Sequence, residues 1–471
     1  MKRMTDAQRV AALTWDRNVG VSAGAGSGKT SVMVERAVGL ITHGADIREM
    51  LIMTFTVNAT EGIRSRIQEA LAEAVAKKPD NRLRRQISAI GSAGISTIHA
   101  FCLDLVREFF HAAGVDPMFS LVGEIQRAML STRVMEILME DRFSTGDQGF
   151  YDLVDRCGGE RALAQLIQRV DQTAQTLPDR EGFYARLTQP YADAAWLAEY
   201  AQEARERLHC ELLLPVEEAV RAVEEGAPGA EKYLGELRGC VLGVREALTL
   251  EPGPQALAAL HALVFPRITP LNREEPELRD YVKERVDAAK AAIAWAGKCP
   301  VYLRSPEENR AALRELLPQA DLLRELALEY RRLLDQEKSA LRLLEFSDVE
   351  HLALRVLRDP LVQEELGHRY KYVFVDEYQD VSPLQQAVID LLPGNQFFVG
   401  DIKQSIYGFR DAEPTLFLRR FEDYREREDC LAVQLQHNFR SSPAILEAVN
   451  AVFDRCMTPE LGRVDYQRSI G

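Results

Sequence analysis

The sequence predicts an α/β fold, a parallel sheet flanked by helices, interrupted by a long insertion made only of helices. Short apolar runs of strand-forming residues recur near both ends of the chain, and a helical pattern follows most of them. Between the two ends, about 240 residues have the spacing of amphipathic helices. Repeated strand–helix units produce parallel sheets covered by helices.

The strands and helix starts divide the chain into four segments. Residues 1–104 and 345–430 together form the predicted α/β domain, residues 105–344 the helical insertion, and residues 431–471 the start of a second α/β domain. Ser-Pro pairs at 382–383 and 442–443 are typical of helix starts. The predicted strands comprise residues 18–22, 49–54, 94–98, 372–375, 396–399 and 430–435.

Composition excludes several classes of protein. The chain has 58 Lys and Arg against 72 Asp and Glu, a net charge of −14, which argues against a simple basic nucleic-acid binder. Its seven cysteines contain no CxxC pair, which argues against a disulfide scaffold or a zinc ribbon. No run approaches the roughly 18 apolar residues of a membrane span, and no signal peptide is recognisable. We therefore expect no membrane partner and a reducing, cytoplasmic location.

A glycine-rich segment directly after the first strand predicts a phosphate-binding loop. Its residues are Ala23, Gly24, Ala25, Gly26, Ser27, Gly28, Lys29 and Thr30. Glycines let backbone N–H groups surround phosphates at a helix N-terminus, where Lys29 can contact the β- and γ-phosphates and Thr30 can ligate Mg²⁺. A chance glycine-rich turn is the alternative, and the strand–helix context disfavours it.

Two adjacent acids complete the predicted nucleotide site. The apolar strand at 373–375 runs directly into Asp376 and Glu377. Asp376 can hold Mg²⁺, and Glu377 can orient and deprotonate the attacking water. A solvated acidic turn is the alternative for an isolated pair of acids. Together with the glycine-rich loop, the pair predicts ATP and Mg²⁺ as ligands.

Four motifs in this order, AGAGSGKT, DEYQD, GDIKQSIYGFR and HNFRSS, resemble motifs I to IV of the UvrD-like superfamily 1 helicases. That family also has Ala where the strict loop pattern has the glycine replaced by Ala23. Residues 54–59 with Arg66 resemble its motif Ia, and residues 96–102 its motif Ib. The resemblance implies a RecA-like P-loop NTPase domain.

Within that family, residues 345–352 and 400–414 resemble the ATP-dependent helicase/nuclease branch called AddA or RexA. The long helical insertion fits the same branch. The resemblance implies a role in double-strand break end processing and recombinational repair. It also implies two kinds of partner, namely single-stranded and duplex-end DNA, and a second, AddB-like protein.

The resemblance implies roles for three further residues of the ATP site. Gln8, in Thr5-Asp6-Ala7-Gln8, should contact the adenine edge. Gln404 should contact the γ-phosphate or its water and couple hydrolysis to DNA. Arg440 should be the motif IV arginine finger, which neutralises charge that develops on the transferred phosphoryl group.

Aromatic residues near Gln404 predict a track for single-stranded DNA. Tyr407, Phe409 and Arg410 combine rings on which bases can stack with a cation for phosphate. Phe55 and His99 occupy positions that contact DNA in the family. Packing in the hydrophobic core is the alternative for each aromatic residue taken alone.

Family members place motifs V and VI, a second arginine finger and, in the AddA branch, a nuclease domain after motif IV. The sequence ends about 30 residues beyond Arg440, so we expect an N-terminal fragment that hydrolyses ATP slowly and neither unwinds nor cleaves DNA. The alternatives are a non-hydrolysing binding module, a UvrD, Rep, PcrA or RecB type helicase, and a small-molecule kinase. Glu377 favours a hydrolase, and QSIYGFR argues against a kinase.

Overall fold

The computed structural model of the chain describes residues 4–226, 231–268 and 276–457. The strands are β1 (Asn18–Ala23), β2 (Met50–Thr54), β3 (Gly94–Thr97), β4 (Ser120–Leu121), β5 (Leu343–Leu344), β6 (Tyr372–Val375), β7 (Asn395–Gly400) and β8 (Cys430–Leu435). Short 3₁₀ turns comprise Ile47–Glu49, Ile90–Ser92, Tyr378–Asp380, Ile402–Gln404 and Gly408–Arg410.

The helices up to the middle of the chain are α1 (Asp6–Leu13), α2 (Lys29–Thr42), α3 (Val57–Lys77), α4 (Asn81–Ala89), α5 (Ile98–Glu108), α6 (Phe110–Ala113), α7 (Glu124–Thr145), α8 (Gln148–Cys157), α9 (Glu160–Gln175), α10 (Arg180–Arg186), α11 (Gln189–Asp193) and α12 (Trp196–Leu208). A π-helical turn, His209–Leu213, follows α12. The remaining helices are α13 (Leu214–Gly226), α14 (Glu231–Thr249), α15 (Pro254–His261), α16 (Pro276–Ala296), α17 (Pro300–Leu303), α18 (Pro306–Ala340), α19 (Phe346–Leu357), α20 (Pro360–Arg369), α21 (Pro383–Asp390), α22 (Pro414–Glu426) and α23 (Pro443–Cys456).

A parallel sheet organises the predicted α/β segments. Among the described residues, six strands pair in the order β3-β2-β6-β7-β1-β8. Each neighbouring pair is parallel, so the carboxyl ends of all six strands lie along one edge of the sheet. The predicted α/β class, a sheet flanked by helices with a helical insertion, is confirmed. Loops at that edge of such a sheet are where ligands characteristically bind.

Both faces of the sheet are buried, which explains why its strands are apolar without alternation. Leu51 and Val373 pack in one core together with α5, α19 and α21. Their neighbours Ile52 and Phe374 point to the opposite core, formed with α1, α2 and α3. A strand covered on both sides has no polar face, so its sequence is a continuous apolar run.

The strand predictions are confirmed to within two residues at each end. The structure also corrects one predicted boundary, at residue 431, which would divide β8. That strand pairs along its whole length with β1, from Asn18 opposite Cys430 to Ala23 opposite Leu435. It therefore belongs to the first sheet, because its backbone hydrogen bonds are made there. Residues 458–471 of the predicted second domain lie outside the described residues.

The chain divides into two compact units. The first unit consists of Met1–Glu140, Gln168–Arg180 and Tyr330–Gly471, and the second of Asp141–Ile167 and Glu181–Glu329. The predicted insertion, residues 105–344, is therefore longer than the second unit. The difference arises where helices next to the predicted junctions pack within the first unit, as Leu105 of α5 does in a sheet-face core.

A buried ion pair of the first unit accounts for part of the difference in boundaries. The Arg331 guanidinium donates to both carboxylate oxygens of Asp171, at 2.7 and 2.6 Å. The two side chains are 8% and 6% exposed. Bidentate pairing satisfies charges that burial would otherwise penalise, so α9 and α18 are joined by this pair at their C-terminal parts.

The second unit has a helical core of its own. Leu208, Val216, Leu237 and Val286 are among its fully or almost fully buried residues. No helix in residues 4–226, 231–268 and 276–457 combines the length and apolar character that a membrane span requires.

Candidate functional site

The glycine-rich segment forms an open loop between β1 and α2. Gly26 and Gly28 have φ of +74° and +91°, left-handed values that favour glycine. Gly28 caps α2 without a side-chain hydrogen bond to the helix. The first N–H groups of α2 are thus left to a ligand, and the helix dipole favours an anion there.

Two amide side chains hold this loop in place. Gln8 Nε2 donates to the Ser27 carbonyl at 2.8 Å, and Gln8 Oε1 accepts from Thr5 N at 2.9 Å. On the other side, Asn438 Nδ2 donates to the Ala25 carbonyl at 2.7 Å. The predicted adenine contact Gln8 is therefore beside the loop and buried.

The loop also lies next to the predicted arginine finger. A Cβ atom added to Gly26 would come within 2.8 Å of Arg440 Cβ. Phe439 N donates to the Gly26 carbonyl at 2.9 Å, which holds this part of the chain against the loop. The structure thus brings Arg440, distant from the loop in sequence, to its edge, with the side chain exposed to solvent.

The two halves of the predicted ATP site meet in an ion pair. Lys29 Nζ lies 2.8 Å from Glu377 Oε2. The neighbouring Thr30 and Asp376 line a cavity of about 420 Å³, to which Glu377 and Gln404 also contribute. Strand order produces this meeting, because β1 and β6 both lie next to β7 and end at the same edge.

Glu377 has an unusual backbone conformation. Its φ and ψ are 49° and 49°, the left-handed region, which costs a residue other than glycine about 1 kcal/mol or more. Two hydrogen bonds hold the residue there: Glu377 N donates to Asp376 Oδ1 at 3.0 Å, and Glu377 Oε2 accepts from Gln379 Nε2 at 3.0 Å. Such conformations persist where surrounding contacts over-determine them, as they do at many functional sites.

Carboxylates outnumber cations in this site. Burial, and then the nearby Glu377, raises the pKa of Asp376 to about 6. The same causes raise the pKa of Asp380 to about 6, and Lys29 counteracts the shift in both. Asp380 Oδ1 is buried and has no hydrogen-bond partner among the described residues. Additional positive charge would relieve this crowding.

The residues present fit Mg²⁺ bound together with phosphates. Magnesium is typically held by one or two carboxylates, water and substrate phosphates rather than by a closed protein cage. Among the described residues, no group of three or more His, Cys, Asp or Glu side chains forms a metal-ligand cluster. The hydroxyl of Thr30 and the crowded carboxylate of Asp376 line one cavity and supply the oxygen ligands that such a site needs.

The predicted DNA residues form one exposed cluster, with one exception. The rings of Phe55 and Tyr407 are 4.7 Å apart between centroids, and those of Tyr407 and Phe409 are 5.8 Å apart. The Arg410 guanidinium lies 5.6 to 5.9 Å from all three ring centroids. Phe409 is 78% exposed, which removes core packing as its explanation. We call these four residues the aromatic cluster.

His99 occupies a separate position. Its ring lies edge-to-face with Phe346 at 5.6 Å, and its Nε2 is 3.2 Å from Glu350 Oε1. Burial raises the pKa of Glu350, and His99 counteracts the shift. Phe346 is 56% exposed, so the pair offers a second aromatic surface.

Sequence reasoning named DEYQD but assigned no role to Gln379 or Asp380. Gln379 is buried, and its Nε2 bonds Glu377 at 3.0 Å and Asp380 at 3.2 Å. Gln404, predicted to contact the γ-phosphate, donates from Nε2 to Asp401 Oδ2. The motif itself was the available signal, since a buried amide two residues after a catalytic acid can reach it.

Comparison with known proteins gives the same result along the whole chain. The model of the UvrD/REP helicase N-terminal domain matches residues 4–425. The AddA-type ATP-dependent helicase/nuclease protein of Alkaliphilus oremlandii is 32% identical over 99% of this chain and 40% of that protein. Its namesake in Bacillus licheniformis is 32% identical over 98% and 40%. The resemblance inferred from the motifs is confirmed, and the chain spans about two fifths of the length of the curated relatives it matches.

Replacing Asp380 by Asn should weaken the dependence of stability on pH. The Asp380 pKa is about 6 in the folded protein against an ordinary 3.8, so proton binding favours folding. That stabilisation is complete below about pH 4 and is lost as the pH rises through 6. Between pH 7 and 5 the wild type should gain about 1 kcal/mol more than Asp380→Asn in free energy of unfolding.

The measurement is urea denaturation of both proteins at a series of pH values. The exposed Asp104 of α5 provides the matched control, Asp104→Asn, which should follow the wild type. Parallel pH profiles for the wild type and Asp380→Asn would contradict the assignment of a raised pKa to Asp380.

Proposed function

Since the chain belongs to the UvrD/REP helicase family, we propose that it is the ATP-driven motor part of a DNA helicase/nuclease. The proposed process is the processing of double-strand break ends for recombinational repair. The relatives named as ATP-dependent helicase/nuclease proteins support this assignment. The single observation that carries it is the Lys29–Glu377 ion pair at 2.8 Å, beside a cavity that Thr30 and Asp376 line.

The first unit would bind ATP through the loop between β1 and α2. The backbone N–H groups and Lys29 would hold the phosphates, and Arg440 would approach from the opposite side of the loop. Gln8 can donate its remaining N–H to the adenine edge. In this proposal the phosphates compete with Glu377 for the Lys29 ammonium, because both are anions within its reach.

Hydrolysis needs a base that becomes free when ATP is bound. Water attacks the γ-phosphorus, the bond to the β-phosphate oxygen breaks, and the water proton passes to Glu377. Mg²⁺, held by Thr30 and Asp376, would neutralise charge on the phosphates. Once Lys29 turns to the phosphates, the Glu377 carboxylate loses a cation and becomes a better proton acceptor.

The aromatic cluster would bind single-stranded DNA. Tyr407, Phe409 and Phe55 present ring faces for stacking, which tolerates any base, and Arg410 supplies a cation for phosphate. The cavity lined by the acids is also lined by Phe55 and Tyr407, so the two proposed ligands would be neighbours. His99 with Phe346 would extend the same track.

A second protein completes the proposal. The names of the relatives describe each of them as one subunit of an enzyme, which favours a partner for this chain as well. We propose an AddB-like protein as that partner, with duplex-end DNA as the shared substrate.

Removing the Lys29 ammonium should weaken ATP binding. Hydrogen bonds to charged groups contribute about 1.5–3 kcal/mol, so Lys29→Ala should lose roughly 10- to 150-fold in affinity. Isothermal titration calorimetry of the 471-residue chain with ATP and Mg²⁺ measures this directly. Lys371→Ala removes an exposed lysine paired with Glu49 and is the control. Equal affinity for wild type and a folded Lys29→Ala would refute the phosphate assignment.

Replacing Glu377 by Gln should separate binding from hydrolysis. The variant cannot accept a proton, so phosphate release should fall by about 10²- to 10⁴-fold. Its ATP affinity should not fall, because Lys29 no longer has a carboxylate to leave. Phosphate release is followed with ATP, Mg²⁺ and single-stranded DNA present. A wild type that binds ATP and releases phosphate no faster than Glu377→Gln would favour the non-hydrolysing binding module instead.

Shortening Tyr407 should weaken binding of single-stranded DNA. Loss of one stacked ring costs about 1–3 kcal/mol, or roughly 5- to 150-fold in affinity. Fluorescence anisotropy with a labelled oligothymidylate at fixed salt measures it. Tyr407→Phe keeps the ring face and should bind like the wild type. If a folded Tyr407→Ala binds DNA normally, the aromatic cluster is not the track.

A further inference from the structure

One buried amide connects the proposed base with the loop that carries most of the aromatic cluster. Gln379 is 2% exposed. Its Nε2 donates to Glu377 Oε2 at 3.0 Å and to Asp380 Oδ2 at 3.2 Å, while its Oε1 accepts from Asp401 N at 2.8 Å. Both N–H groups and the carbonyl oxygen are engaged, so the amide cannot rotate without losing hydrogen bonds.

The acceptor side of this amide is the start of the loop after β7. Asp401 Oδ1 accepts from Lys403 N at 3.1 Å, and Asp401 Oδ2 accepts from Gln404 Nε2 at 2.5 Å. Ser405 Oγ donates to the Gln379 carbonyl at 3.4 Å. Tyr407 follows two residues later. A shift of this loop therefore acts on Gln379 at two points.

The donor side matters most when a nucleotide is bound. The Glu377 carboxylate accepts from Lys29 and from Gln379. Under the proposed function, phosphates draw Lys29 away from Glu377. Gln379 is then the donor that continues to aim the carboxylate, and its own position depends on Asp401.

The packing leaves Gln379 little freedom. A Cβ atom added to Gly400, the last residue of β7, would lie 2.8 Å from Gln379 Oε1 and 3.0 Å from the Phe417 ring. The strand end, the amide and the ring are thus in close contact. Displacement of one requires displacement of the others, because interiors packed this closely do not deform continuously.

We propose that Gln379 is the positioning residue that couples occupancy of the DNA track to nucleotide binding at Lys29 and Glu377. The proposal rests on the proposed function and adds the regulation of that site. Stacking of a strand on the aromatic cluster favours one arrangement of residues 401–407, and Gln379 transmits that arrangement to Glu377. Coupling of this kind is reciprocal: DNA changes nucleotide affinity by the factor by which nucleotide changes DNA affinity.

The test measures that factor and does not require turnover. The 471-residue chain is titrated with a non-hydrolysable ATP analogue and Mg²⁺, with and without saturating oligothymidylate. For the wild type we expect the two affinities to differ by about 5- to 150-fold. For Gln379→Ala we expect the ratio to fall to about twofold or less. A ratio of affinities is unaffected by a uniform loss of stability or of binding.

Gln86 offers a matched control for a buried amide. Its Oε1 accepts from Ile47 N at 2.7 Å and its Nε2 donates to Asp46 Oδ2 at 3.1 Å, the same pattern of one backbone donor and an acidic acceptor. It is 7% exposed and lies away from the cavity. Gln86→Ala should therefore keep the wild-type ratio.

Two further variants address the same link by different means, and also serve if Gln379→Ala does not fold. Gln379→Glu can still accept from Asp401 N but cannot donate to Glu377, so the ratio should also collapse. Gly400→Ala leaves every polar group in place but displaces the Gln379 amide, so the ratio should fall part of the way.

The outcomes separate the inference from the proposed function. A wild-type ratio retained by the Gln379 variants overturns the inference, as does a wild type that binds both ligands without mutual effect. Both results leave the proposed function standing. A wild type that binds neither the ATP analogue nor oligothymidylate refutes the proposed function itself.

Discussion

The ion pair between Lys29 and Glu377 joins residues 348 positions apart, and much of the site depends on what makes it possible. Strand β7 lies between β1 and β6 in a parallel sheet, so the loop after β1 and the acids after β6 emerge at one edge. A helical insertion of any length can separate the two sequence segments without separating the two ends. The constraint is the sheet order, and the ion pair is its consequence.

The same edge explains why the site is electrostatically unbalanced. Asp376, Glu377 and Asp380 follow one strand closely, and Lys29 opposes them from the next loop. Burial then raises the pKa of Asp376 and of Asp380 to about 6. A protein that keeps carboxylates in this state is prepared for a ligand that brings positive charge, as a magnesium–nucleotide complex does. The cost in stability is characteristic of functional sites, where burial and like charges are brought together.

The aromatic cluster is placed by the same geometry. Phe55 directly follows β2, and Tyr407 lies in the loop that follows β7. Two strand ends that are separated only by β6 thus present their rings to each other, 4.7 Å apart. Nucleotide acids and aromatic rings therefore line one cavity, and Gln379 lies between them in hydrogen-bonding terms. Proximity of this kind is what allows two ligands to influence each other through a few side chains.

By itself, the amino-acid sequence determined the fold class, the strands to within two residues and the phosphate loop, because these depend on local patterns. Apolar runs mark buried strands, and glycines mark the turn before a helix. The end of the first sheet at β8, the limits of the second unit and the role of Gln379 were decided only by the tertiary structure. Backbone pairing between β1 and β8 and the three hydrogen bonds of one amide join residues that are distant in sequence or have no periodicity. Such contacts depend on which strand ends become neighbours, and that is a property of the folded sheet alone.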